Sequence, residues 1–250
     1  RVARFCQTIS TPPYRRSDGT VAPPYFGATL TGYQTLKFSL DNPIYDLNGQ
    51  SYNSIPILRY AEILLNYAEA KAELGTFTVT DWDNTIAVLR KRAGIKNTEM
   101  PTTPDKYMQE NFYPGISSIA ILEIRRERAI ELIYEGFRYD DLLRWKEGKL
   151  LEKEKDGIYV THENQLLDLN EDGVPDVDFV DKIPDHPIQG VYYFLIDNVT
   201  SKLSAGTSGR LLLQINLINT YPDYKYYGPL PYNELLINKN RLQNEGWDHP

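Results

Sequence analysis

The clearest spacing for chemistry in this chain is the run D-L-N-E-D-G-V-P-D at residues 168–176. Asp168, Asn170 and Asp172 stand at alternate positions and offer side-chain oxygens. Gly173 supplies a sharp turn, Val174 a main-chain carbonyl, and Asp176 a further carboxylate. That order suits a calcium loop, where oxygens surround a hard cation. At the twelfth position Phe179 stands where a bidentate Glu would close the site, with Asp178 and Asp181 as the nearest substitutes. No strong helical pattern flanks the run. The alternative is an acidic turn whose side chains bond their own backbone. Calcium is therefore an optional ligand of this loop, and no cofactor is required.

A second group is aromatic. The chain holds 19 Tyr against 8 Phe and 3 Trp. Tyrosine carries a flat apolar ring with a polar tip, which suits surfaces that are half apolar and half wet. Sugar faces are such surfaces, and loop-rich cores are others. Tyr14, Tyr25, Phe26 and Tyr33 fall in a turn-rich region ahead of the first clear helix, where ligand contacts concentrate. Arg15 or Arg16 would add hydrogen bonds there. These positions form the expected ligand platform. The later cluster Tyr221, Tyr224, Tyr226 and Tyr227 is expected to pack within the structure instead.

Enzyme chemistry finds little support. His162, His186 and His249 are scattered, with no H-E-x-x-H and no cysteine partners for zinc. There is no G-x-S-x-G elbow, and the run Gly206-Thr207-Ser208-Gly209 lacks the lysine of a phosphate loop. Cys6, the only cysteine, has no nearby His to activate it. A glycosidase needs only two carboxylates across a cleft, but the sequence flags none of the 34 acids as sitting in an apolar setting that would raise its pKa. The net charge of -7 would repel a phosphate backbone, so nucleic acid is a poor partner. No stretch is long and apolar enough for a spanning helix. The five residues ahead of Cys6 are too short and too charged for a signal core, so Cys6 does not read as a lipidation site.

These groups must be carried by a mainly α architecture. Residues 1–55 are punctuated by Thr11-Pro12-Pro13, Asp18-Gly19, Pro23-Pro24, Thr31-Gly32 and Asn48-Gly49, and read as a folded-back loop region. A helical scaffold follows over 56–149. Its first helix is predicted at 56–74, with Pro56 in the first turn, Gly75 as the stop, and a stripe of Leu58, Ala61, Leu65, Ala68 and Ala72. A second is predicted at 82–93, capped by Thr80 or Asp81. The pair resembles one tetratricopeptide-type unit.

The third helix is predicted at 118–135, with Ile121, Ile124, Ile130 and Ile133 on its apolar face. Glu123, Glu127, Glu131 and Glu135 recur four apart, and like charges at that spacing need cations opposite. Arg126, Arg128, Arg138 and Arg144 are at hand, giving an expected ion-pair lattice between helices. Residues 150–225 read as a loop excursion in which 191–196 and 211–215 would pair as a small hairpin. A tail at 226–250 is expected to wrap over the helices.

Three segments in order carry a resemblance. They are LRYAEILLNYAEAKAELG (58–75), IRRERAIELIYEGFRYDDLLRW (124–145) and YGPLPYNELLINKNRLQNEGW (227–247). Together they resemble the SusD/RagB family, and the chain resembles the C-terminal half of a single domain of that family. The resemblance implies a lipoprotein on the outer face of a Gram-negative outer membrane, with the lipid anchor outside this chain. Such a protein captures a glycan without catalysis and passes it to a SusC-type TonB-dependent transporter. The implied fold is a tetratricopeptide-like helical scaffold with long loops. Within the shared segments the charged face and Trp145 read as structural. A tetratricopeptide-like protein-interaction scaffold, or a peptide-binding relative, is the alternative.

Overall fold

The computed structural model describes residues 2–10, 14–22, 25–46, 49–217 and 219–247. The prolines at 12–13 and 23–24, Asn48 and His249 lie outside the described residues. The helices, in chain order, are α1 (Val2–Thr8), α2 (Tyr60–Glu73), α3 (Val79–Trp82), α4 (Val88–Arg92), α5 (Lys106–Asn111), α6 (Ile119–Glu131), α7 (Phe137–Arg144) and α8 (Tyr232–Ile237). The strands are β1 (Ile9–Ser10), β2 (Gln34–Thr35), β3 (Lys155–Val160), β4 (Leu166–Leu167), β5 (Val177–Val180), β6 (Tyr192–Leu195), β7 (Ser201–Leu203) and β8 (Gly209–Leu213). Helix accounts for 33% and strand for 13%, so helix is the leading regular structure. The chain divides into two compact units, Arg1–Thr102 with Glu154–Leu217, and Thr103–Lys153 with Ile218–Pro250.

In the first unit, α2 buries Ala61, Leu65 and Ala68. It packs against the segment that joins α3 to α4, a π-turn at Asp83–Ala87. The small alanines let the two backbones approach closely, and Trp82, Ile86 and Leu89 of the α3–α4 stretch are buried. α2 starts at Tyr60 and not at Pro56, because Ile57 and Leu58 are exposed and no packing rewards an earlier turn. The partner helix starts earlier than expected. Thr78 caps it in a reciprocal box with Asp81, so Asp81 lies inside the first turn.

The rest of this unit corrects the reading of 150–225 as a loop excursion. Two three-stranded sheets, in the orders β3-β8-β7 and β4-β5-β6, enclose an apolar core of Val160, Val177, Phe179, Phe194, Ile196, Leu203 and Leu211. The expected pairing of 191–196 with 211–215 does not form. β6 runs parallel to β5, while β8 pairs antiparallel with β7 and β3. The hairpin is β7-β8. Each run is apolar enough to be a strand, but only the core decides which neighbour covers it.

In the second unit, Asp105 caps α5 and Ser118 caps α6. The acidic row of α6 is not at its surface: Glu123, Glu127 and Glu131 are buried with Arg125 and Arg128. Ile130, expected on the apolar face, is exposed, and Leu122 takes the core position. Glu123 pairs with Arg126 of its own helix at 2.7 Å, and the tie between helices runs through Asp141, which the expected lattice did not include. Arg128 makes a two-pronged contact with Asp141 of α7 at 3.0 and 2.9 Å, and Arg144 reaches the same carboxylate at 2.8 Å. Trp145 lies beneath the guanidinium groups of Arg125 and Arg144, at 4.6 and 4.9 Å, with Tyr113 edge-on.

The tail closes on itself. Gln243 exchanges hydrogen bonds with both backbone groups of Leu230, and the Trp247 indole N–H donates to the Tyr227 carbonyl at 2.7 Å. Tyr221 is buried as expected, whereas Tyr227 is exposed.

Candidate functional site

The loop aromatics lie in the first unit, but not all of them are exposed. Residues 25–33 leave the core at Phe26. That ring is only 3% exposed, in edge contact with Phe179 at 5.4 Å and Phe194 at 6.0 Å. Expected among the exposed rings, Phe26 is instead the anchor that fastens the loop to the sheets. Its burial leaves no free face for a ligand. Ile158 in β3 donates its N–H to the Thr31 carbonyl at 2.9 Å, and the Thr31 backbone crosses so close to Gly157 that a Cβ there would meet it at 2.6 Å. The far end of the loop is thus pinned as well.

On either side of these two anchors the loop presents Tyr25 and Tyr33. Tyr25 is 62% exposed. Its N–H donates to Gln34 Oε1 at 2.8 Å, and its ring stands edge-on to Tyr192 of β6 with centroids 6.2 Å apart. The ring also covers Gly27, where a Cβ would sit 2.4 Å from it. Tyr33 is 37% exposed, with its N–H on the Thr31 hydroxyl. Tyr192 was not expected here. Its only sequence signal is an aromatic in a short apolar run, and its link to Tyr25 depends on β6 pairing with β5.

Tyr14 and Arg15 belong to a separate small feature. Arg15 and Val21 bridge across the Asp18-Gly19 turn, and Arg15 Nη1 donates back to the Gly19 carbonyl at 3.3 Å. The Tyr14 hydroxyl donates to Asp41 Oδ1 at 2.9 Å. Asp41 is held below the usual carboxylate range, first by the Ser17 hydroxyl and N–H and then by Tyr14.

The acidic loop follows β4 and leads into β5. Asp168 accepts N–H groups from Glu171 and Gly173, both at 2.7 Å, and a longer one from Asp172. Asn170 accepts from Asp172, Asp172 from Val174, and Asp176 from Leu169, each at 2.8 Å. Desolvation acts to raise the Asp168 pKa, but these backbone donors prevail and hold it low. Asp176 is pushed up by desolvation and then by Asp172 and Asp168. Such bonds let an acidic turn close on its own backbone. Among the described residues, no group of three or more His, Cys, Asp or Glu side chains is arranged to hold a metal ion.

The sequence model of the SusD family matches residues 7–247. The chain belongs to that family. Among solved structures, a SusD-like protein from Bacteroides fragilis NCTC 9343 superposes with a TM-score of 0.56 at 24% identity, over 98% of this chain and 38% of its own. That likeness is one of fold. A second protein of that organism, described as a SusD-like carbohydrate binding protein, gives a TM-score of 0.46 at 28% identity, over 62% of this chain and 31% of its own. The chain therefore spans well under half the length of these solved relatives. No curated protein matches it. No helix among the described residues is long and apolar enough to cross a membrane.

Proposed function

We propose that this chain is part of a surface glycan-capture protein: it holds an oligosaccharide or polysaccharide and presents it to a SusC-type TonB-dependent transporter without cleaving it. Membership of the SusD family supports this reading, and one observation carries it to a site. Tyr25 is an exposed ring held by Tyr192 and Gln34 on a loop anchored at both ends. A fixed flat ring can stack on the C–H face of a sugar at little entropic cost, while neighbouring polar groups bond the hydroxyls. In the same reading, α2 with α3 and α4 makes one tetratricopeptide-type pair of the scaffold. The protein sits on the outer face of the outer membrane through the family's lipid anchor. Capture needs no cofactor, and calcium in the 168–176 loop would add order rather than chemistry.

Native affinity electrophoresis through gels containing a panel of polysaccharides, with and without calcium, tests this. Retardation by one polymer, no release of reducing sugar, and loss of retardation in Tyr25→Ala and Tyr33→Ala are the expected results. Unchanged migration on every gel would sink glycan capture by this chain, and release of reducing sugar would sink the non-catalytic reading. A protein-binding scaffold is the second reading, favoured by the exposed apolar residues of α2.

A further inference from the structure

The backbone N–H of Tyr25 donates to Gln34 Oε1 at 2.8 Å. Only the oxygen of a carboxamide can accept from a backbone N–H, so this bond settles which way the Gln34 amide faces. Its Nε2 then carries two N–H donors beside Tyr25, and no acceptor among the described residues takes either of them. The side chain is half-buried and not enclosed, so those donors can exchange water for a ligand oxygen. The amide is also held in place. Gln34 lies in β2 opposite Ser10 of β1, and Leu36 donates its N–H to the Thr8 carbonyl at 2.8 Å. With its backbone in a ladder and its oxygen on Tyr25, the side chain has lost much of its freedom before any ligand arrives.

Stacking on Tyr25 alone tells little between sugars, because a flat ring suits any C–H face. Selection needs a polar group fixed beside the ring. We infer that Gln34 is a specificity-determining residue of the Tyr25 site, its Nε2 amide donating to a hydroxyl or ring oxygen of the sugar stacked on that tyrosine. The two ends of one amide then do different work: the oxygen positions Tyr25, and the nitrogen reads the ligand. The donors are neutral, so they ask for an acceptor and not for a charge, which an oxygen-rich neutral glycan provides along its whole length. This rests on the glycan reading above, which supplies the stacked sugar.

Gln34→Glu separates the two ends of the amide. Glutamate keeps an oxygen for the Tyr25 N–H and loses both donors, whereas Gln34→Leu loses oxygen and donors together. Gln7→Glu, the same exchange at an exposed position of α1, controls for the added charge. The 250-residue chain and these variants are run through native gels over a concentration series of neutral polysaccharides (a soluble α-glucan, a β-glucan, a mannan and a xylan), and thermal melts are recorded beside them. The expected result is about three- to tenfold weaker retardation of Gln34→Glu, the effect of one lost hydrogen bond. Its melting temperature should stay within about 2 °C of the parent chain, and Gln7→Glu should migrate as the parent does. Full retardation of Gln34→Glu with loss in Gln34→Leu would overturn the inference, since Gln34 would then only hold Tyr25 in place. Full retardation of both, an equal loss in Gln7→Glu, or a Gln34→Glu loss matched by a fall in melting temperature would overturn it too. Free migration of the unsubstituted chain on every gel would be a different failure, that of the glycan reading itself, and would take the inference with it.

Discussion

At the scale of single residues, the candidate site depends on two small details around Tyr25. Gln34 fixes the backbone at this tyrosine, and Gly27 leaves the space its ring occupies. A methyl group at position 27 would displace that ring, which is the flexible and exposed partner in the clash. Gly27→Ala is therefore expected to weaken polysaccharide retardation severalfold while leaving the melting temperature within about 2 °C, because surface changes rarely cost more than roughly 0.5 kcal/mol. Parallel gels and thermal melts check this. A matched loss of stability and retardation would mean that Gly27 supports the fold and not the ring. Tyr25 and Tyr33 were legible in the sequence as loop aromatics. Phe26, one position further on, was not separable from them, since burial is decided by the sheets it meets.

At the scale of elements, polar contacts position the helices. Asp81 accepts from the Thr78 hydroxyl, the Tyr67 hydroxyl and the Thr78 N–H, so it joins the start of α3 to α2. The Thr78 and Tyr67 hydroxyls hold its pKa down to about 2. A carboxyl depressed in the folded state stabilises fully above its unfolded pKa, near 3.8, and that contribution is lost as the pH falls through about 2. Asp81→Asn should flatten the decline of denaturant stability between pH 4 and 2; an unchanged slope would show that other carboxylates govern it. The Arg128–Asp141 pair is a stronger tie, because both side chains are buried. Arg128→Met leaves Asp141 without its main cation and should cost about 3–5 kcal/mol in urea unfolding, with much of that recovered in the double variant Arg128→Met/Asp141→Leu. Failure of the double variant to recover would mean that the pair's geometry, and not its charge, holds α6 to α7.

At the scale of the whole molecule, the chain is two compact units, each drawing on separated stretches of sequence. The first joins the N-terminal 102 residues to 154–217, which is why a ring from residue 26 can complete a core built from residues 160–211. The exposed face of α2 belongs to this scale as well. Tyr60 and Ile63 are exposed there, while the Tyr67 hydroxyl donates to Asp81 of α3 at 2.8 Å. The net charge of -7 adds a constraint on ligands. Under the proposed glycan capture it favours neutral glycans over anionic polymers, which the same gel panel separates.

The sequence by itself determined the family and the main helices, α2 and α6, but not the short helices α1, α5 and α8, which fall in stretches read as loop or tail. Three segments in order matched the SusD family. Apolar spacing located α2, and the recurrence of Glu at 123, 127 and 131 beside arginines marked α6 as a charged helix, although its tie to α7 runs through Asp141. These signals are legible because helical contacts link residues three or four apart. The tertiary structure decided the rest. It turned 155–213 from loop into two sheets, chose β5 as the partner of β6, buried Phe26 and brought Tyr192 to Tyr25. Strand pairing and aromatic contacts join residues far apart in the chain. Their energy comes from a shared apolar core, which no local spacing records.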